Sequence, residues 1–136
     1  MESYDQNLGK MFFVHSAGGG GKTFVCNTIA AAVRMGQHQD RKVALCVASS
    51  GIASLLLDGG RTAHSHFKIP IPVFENSGCN ISKNSALAKV LKQTGIIIWD
   101  EVPMQHKFSV EALDCTLQNV LENKKTLWWH HCPLLW

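Results

Sequence analysis

Ser16-Ala17-Gly18-Gly19-Gly20-Gly21-Lys22-Thr23 is the stretch that decides the fold. Before it stands the short apolar run MFFV at 11–14, and after it KTFVCNTIAAAVRM at 22–35, whose alanines and spaced apolar positions favour a helix. The order is strand, glycine-rich loop, helix. It brings unpaired backbone N–H groups and the positive end of a helix dipole to one point, an arrangement suited to an anion. A triphosphate is the natural guest: glycines let the backbone wrap phosphates closely, Lys22 reaches the outer phosphates and the Thr23 hydroxyl binds Mg²⁺. The candidate binding residues are therefore Gly18, Gly19, Gly20, Gly21, Lys22 and Thr23. The strict pattern G-x-x-x-x-G-K-[ST] fails only at its first place, where Ser16 replaces glycine. If that place needs a glycine backbone angle, Ser16 is expected to cost about 1–3 kcal/mol of strain or to distort the loop.

Working outward, VALCVA at 43–48 is apolar and shows no alternation, as a strand buried on both faces would. GIASLLL at 51–57 reads as a helix stopped by Asp58, Gly59 and Gly60, and the Pro70, Pro72 and ENSGCNIS region as loose, irregular surface chain. SALAKVLKQ at 85–93 has helical spacing, Gly95 breaks it, and IIIW at 96–99 begins another buried strand. SVEALDCTLQNVL at 109–121 returns to helix with Val110, Leu113, Leu117 and Leu121 on one face. Strands alternate with helices, so the fold class is α/β: a doubly wound parallel sheet with helices on both faces. The run IIIW ends in Asp100-Glu101, and ligands bind at the ends of parallel strands. Asp100 there suits Mg²⁺, and Glu101 suits the orientation and deprotonation of a water that attacks the terminal phosphate. Lys22 and Glu101 are the candidate catalytic residues, and Thr23 and Asp100 the candidate metal ligands.

The composition sets limits. At 136 residues the chain holds one core, and 46% hydrophobic with 17% charged residues is ordinary for a globular domain. A net charge of +3 is too weak to imply nucleic acid by itself. No secretory signal stands at the start, and no apolar run approaches the roughly 18 residues of a membrane span. Five cysteines, with no C-x-x-C pair, read as buried free thiols. His130, His131 and Cys132 are adjacent, so they alternate in direction along an extended chain and make a poor metal site.

With these residues in place, VASSGIASLLLDGGRTAHSHFKIPI at 47–71, NISKNSALAKVLKQTGIIIWDE at 80–101 and IIIWDEVPM at 96–104 resemble the petite-integration-frequency (Pif-one) DNA helicases, nearest to the Helitron-like branch. The similarity runs in order over about residues 11–121. It implies a phosphate-loop (P-loop) NTPase fold, the RecA-like first motor lobe. It also implies ATP and Mg²⁺ as cofactors, and DNA, single-stranded and duplex, as partner. The implied activity is ATP-driven 5′–3′ unwinding in recombination, repair and telomere maintenance, with the nucleus as location. On this resemblance Ser50 and Gly51 open the segment that touches the DNA backbone, and His64, Ser65 and Phe67 lie on the same strand-binding face. Phe67 can stack on a base or fill the core beside Ile69, and His64 and His66 alternate along an extended segment. Two other functions fit parts of the pattern: a nucleotide- or strand-binding module without turnover, and a P-loop small-molecule kinase. Against the kinase stand Glu101 and the segment 49–67.

The expected organisation is a non-motif leader over 1–10, a partial ATPase lobe over 11–121 and a non-native tail over 122–136. The tail TLWWHHCPLLW holds three of the four tryptophans and no charge. Read one nucleotide later, codons for 127–136 permit Phe-Gly-Gly-Ile-Thr-Val, a variable residue, then Phe-Phe-Gly, which resembles the strand the family places before its sensor motif. A frameshift near residue 125, or a mispredicted exon edge, accounts for it. The family's second motor domain supplies an arginine to the ATP site, so a truncated lobe is expected to unwind little DNA alone.

Overall fold

The computed structural model describes residues 13–36 and 43–122. The leader, the tail beyond Glu122 and the His130, His131 and Cys132 cluster lie outside the described residues.

Helix α1 spans Lys22–Met35, strand β1 Val43–Ala48, helix α2 Gly51–Leu55 and strand β2 Arg61–Thr62. They are followed by α3 over Ala63–Phe67, α4 over Ala86–Gln93, β3 over Thr94–Asp100, a 3-10 turn over Val102–Met104 and α5 over Lys107–Leu121. The sheet order is β2-β1-β3, with both pairings parallel. Parallel neighbours need a crossover, and here helices supply each one.

Strand β1 is central and buried from Ala44 onward. Its alternation divides the core in two. Ala44, Cys46 and Ala48 face Ala30 and Val33 of α1 with Ala53 and Leu57, a layer of small side chains that lets α1 lie close to the sheet. Leu45 and Val47 face the other way, onto Phe67, Ile69, Leu91, Leu113, Leu117 and Val120. Helices thus cover both faces, as expected. Arg34 and Asn27 tie the small-residue layer: the Arg34 guanidinium donates to Ala44 O at 3.1 Å and Asp58 O at 3.0 Å. Asn27 Nδ2 donates to Leu56 O at 3.0 Å while its Oδ1 accepts from Asp58 N at 3.0 Å.

Several expectations need correction. The described part of the strand read at 11–14, Phe13 and Val14, has no regular structure and is exposed, because among the described residues no neighbour pairs with it. β3 begins at Thr94, and Gly95 is the extra residue where the register steps from Val43↔Thr94 to Ala44↔Ile96. Its residues are half-buried rather than buried, since among the described residues β1 is its sheet neighbour on one side and no strand flanks it on the other. The buried face of α5 is Ser109, Ala112, Leu113, Thr116, Leu117 and Val120, so Val110 and Leu121 lie beside that face rather than on it. His64 and His66 sit in the short helix α3, not on an extended segment, with the Thr62 hydroxyl accepting from Ser65 N at its start.

The irregular stretch 70–82 is not loose. Val73, Cys79 and Ile81 pack on the large-residue core, and Cys79 N donates to Thr116 Oγ1 at 2.8 Å. The peptide bond Ile71–Pro72 is cis.

Candidate nucleotide-binding site

The glycine loop is organised by its own residues. Gly19 and Gly21 adopt φ of 77° and 80°, the left-handed region open to glycine at little steric cost. Gly20 N donates to Ala17 O at 3.0 Å. A side chain at Gly20 would press on Ser16 Oγ and come within 2.9 Å of Ser16 Cβ and 3.0 Å of Ala17 O. Ser16 itself is not among the residues of positive φ, so the expected glycine-type strain at that place is not present. The departure has instead a steric partner: the Ser16 side chain fills the space that a residue at position 20 would need.

Lys22 Nζ donates to Ser16 O at 2.9 Å and to Ser16 Oγ and Ala17 O at 3.4 Å. The ammonium therefore lies over the loop, facing oxygens that a phosphate would outcompete as a charged acceptor. Gly21 precedes α1 without a side-chain cap, and the first turn holds no acidic residue, so its N–H groups keep their affinity for an anion.

The second half of the site is a row across the sheet. Register pairs Ala48 with Thr62 on one side and with Asp100 on the other, so the carboxyl ends of all three strands come level. Two residues further along lie Ser50 after β1 and His64 after β2. Asp100 Oδ1 accepts from Glu101 N at 2.9 Å, and Asp100 O accepts from Ser49 N at 3.1 Å. Glu101 has φ 58°, a left-handed conformation that costs a non-glycine residue about 1–3 kcal/mol and persists where its surroundings hold it. Two serines hold it. The Ser49 hydroxyl donates to Glu101 O at 2.6 Å and accepts from Trp99 Nε1 at 3.2 Å. The Ser50 hydroxyl donates to Glu101 Oε2 at 2.8 Å and accepts from Ala53 N at 3.2 Å, capping α2.

Asp100 and the helix that follows the loop share one face of the sheet: Asp100 pairs with Ala48, which packs in one layer with Ala30 and Val33 of α1. Cys26, on α1 three residues after Thr23, packs against the same small-residue layer that Ile96 and Ile98 of β3 adjoin. Its thiol is pushed up first by burial and then by the negative charge of Asp100, with Cys46 a third cause. Thr23 and Asp100 supply hard oxygen donors, which suits Mg²⁺, an ion that takes one or two protein oxygens and fills its shell with phosphate and water. Among the described residues no group of three or more His, Cys, Asp or Glu is placed to hold a metal without such help.

Of the residues assigned to the strand-binding face, Gly51 and Ser65 are exposed and Ser50 and His64 half-exposed. Phe67 is 0% exposed and lies 6.1 Å, centroid to centroid, from Trp99. A ring with no free face cannot stack on a base, so the core alternative describes Phe67. Gln105 and Trp99 also support the site, a role that sequence reasoning missed: Gln105 Nε2 lies 3.3 Å from His64 Nδ1, and Trp99 orients Ser49. No signal in the sequence marks either contact, since the partners stand 41 and 50 residues apart.

The four described cysteines are free thiols, as read, but of these Cys46 alone is buried: Cys26 and Cys79 are half-buried and Cys115 is exposed. Burial pushes Cys79 up to about 11, and burial outweighs the Arg34 charge to raise Cys46, so neither is a thiolate near neutral pH. No helix among the described residues is long and apolar enough to cross a membrane.

A family model described as PIF1-like helicase matches residues 1–132. The ATP-dependent DNA helicase Pif1 of Psychrobacter sp. (strain PRwf-1) is 30% identical over 120 residues, which is 86% of this chain and 17% of that relative. The chain therefore spans less than a fifth of the length of the curated relative it matches.

Proposed function

Because the chain belongs to the PIF1-like helicase family, we propose that it forms the ATP-binding and ATP-hydrolysing part of a DNA helicase, with single-stranded DNA engaged along the adjacent edge of the same sheet. The observation that supports this most directly is the level row of strand ends. It sets Asp100 and Glu101 on one side of Ser50 and His64 on the other, with α1, the helix that follows the glycine loop, on the face of the sheet that Asp100 shares.

In this reading the loop amides and Lys22 bind the β- and γ-phosphates. Thr23 and Asp100 are the residues that would hold Mg²⁺, which when bound neutralises phosphate charge. Glu101 orients a water in line with the γ-phosphorus and takes its proton, while Lys22 stabilises the charge that develops on the transferred group. Ser50, Gly51, His64 and Ser65 face the DNA backbone. The resemblance alone extends the proposal to 5′–3′ movement, to recombination, repair and telomere maintenance, and to the nucleus.

Titration of the chain with a fluorescent ATP analogue, with and without Mg²⁺, tests the first step. Saturable, Mg²⁺-dependent binding that weakens at least about tenfold in Lys22→Ala is expected. Equal binding by both proteins would remove the loop from the site. A second reading, binding without turnover, is favoured by one observation: the Glu101 carboxylate is engaged by Ser50 rather than free. Phosphate release, measured on the same samples with and without oligothymidylate, separates the two.

A further inference from the structure

The two hydroxyls of the segment assigned to the strand have already given their protons away. A serine hydroxyl holds one proton to donate. That of Ser49 goes to Glu101 O at 2.6 Å, and that of Ser50 to Glu101 Oε2 at 2.8 Å. Both serines also accept a bond, from Trp99 Nε1 and Ala53 N, so their remaining capacity is small. Next to Ser50, Gly51 is exposed, and nothing lies within 4 Å of where its side chain would be. The second strand-facing segment is joined to the same acidic turn, through His64 Nδ1 and Gln105 Nε2. A DNA phosphate that accepted the Ser50 proton would take it from Glu101, and the Glu101 charge opposes a phosphate at that point.

We propose that the Ser50 hydroxyl is a positioning switch with two competing acceptors: it holds the Glu101 carboxylate in the absence of DNA, and releases it when a backbone phosphate of single-stranded DNA accepts its hydrogen bond instead. Strand binding then frees the carboxylate to orient water at the γ-phosphate, so hydrolysis answers to the presence of DNA. This regulation rests on the reading that Ser50 and Gly51 face the strand. Coupling between two sites is reciprocal: what the strand removes from Glu101, removal of Glu101 returns to the strand.

The test is a double-mutant cycle on the full chain, with fluorescence anisotropy of labelled oligothymidylate as readout and nucleotide left out. Glu101→Ala is expected to bind the oligonucleotide about five- to tenfold more tightly than the wild type, within the usual range of site-to-site coupling. In a Ser50→Gly background the same change is expected to shift affinity less than about twofold. Glycine is chosen because it replaces serine at the cap of α2 with little loss of helix stability. Ser50→Thr keeps the hydroxyl and is expected to keep the response to Glu101→Ala, which a purely structural role for Ser50 would not require. Equal tightening with and without the hydroxyl would show simple charge repulsion and overturn the switch, leaving the strand-binding reading intact. If every protein folds by circular dichroism and none binds the oligonucleotide, the strand-binding reading falls and the switch with it.

Discussion

The glycine loop and the acidic turn serve the same proposed reaction but are built in opposite ways. The loop is held by residues at most six positions apart: Lys22 on Ser16 and Ala17, and Gly20 on Ala17. The turn from Asp100 to Gln105 is held by residues 41 to 52 positions away: Ser49, Ser50 and His64. A local device survives as a motif. A long-range one exists only once β1, β2 and β3 have paired in register, so damage to the core should disturb the turn well before the loop.

The largest expected effect breaks the comparison on the turn side. Glu101→Gln keeps a hydrogen-bonding side chain but no base, so phosphate release should fall about 10²- to 10⁴-fold. Affinity for the Mg²⁺-bound ATP analogue should change less than about threefold, because the loop does not depend on Glu101. A parallel loss of nucleotide binding would show that the two regions are not separable.

Next in size is the core beneath the turn. Leu113 is fully buried in the large-residue layer, and Leu113→Ala should cost about 2–5 kcal/mol in urea unfolding, through lost burial and the cavity left behind. Near-ultraviolet signals from Trp99, which orients Ser49, should already weaken in this variant before urea is added, because the turn depends on that core.

The loop side gives a sharper and smaller test. Gly20→Ala sets a methyl against Ser16 Oγ and should weaken nucleotide binding about tenfold, close to 1.4 kcal/mol at 25 °C. Ser16→Gly removes the obstacle, so the double variant should recover most of that loss. If Ser16→Gly alone improved binding tenfold, glycine-type strain at position 16 would have to be restored to the account.

These contrasts also explain how much was legible in the sequence. The loop, α1, β1 and the pair Asp100-Glu101 were readable because each is written in consecutive residues: glycine with lysine, alanine spacing, an unbroken apolar run, carboxylates at a strand end. The family resemblance added Ser50, Gly51, His64 and Ser65 but not their partners. Three things were hidden for physical reasons. A strand at 13–14 needs a neighbour, which an apolar run does not reveal. The side chain of Phe67 looks alike on a surface and in a core until Leu113 and Leu117 close over that face. The reach of Ser50 to Glu101 depends on the register Ala48↔Asp100, and no spacing along the chain encodes it.

The smallest effect concerns α3, on the long-range side of the comparison. His66 Nε2 is buried without a hydrogen-bond partner, and the ring meets Phe67 edge-on at 5.2 Å. Burial first, then the positive charges of Arg61 and Lys68, hold its pKa below the ordinary value of 6.5. In the unfolded chain His66 takes its proton near that ordinary value, whereas in the folded chain it stays neutral to lower pH. The unfolded state therefore binds more protons in that interval, and stability rises with pH through it. Its contribution is complete above about pH 6.5 and is lost as pH falls toward the folded-state value. Urea midpoints measured from pH 7.5 to 5.5 should decline, and His66→Phe should flatten the decline. The loop should be indifferent, so nucleotide affinity of Lys22-intact protein should hold steady over the same interval while the protein remains folded. An unchanged slope in His66→Phe would mean that α3 opens enough to hydrate the ring, and then His64 beside Gln105 would be a looser link to the acidic turn than the 3.3 Å contact implies.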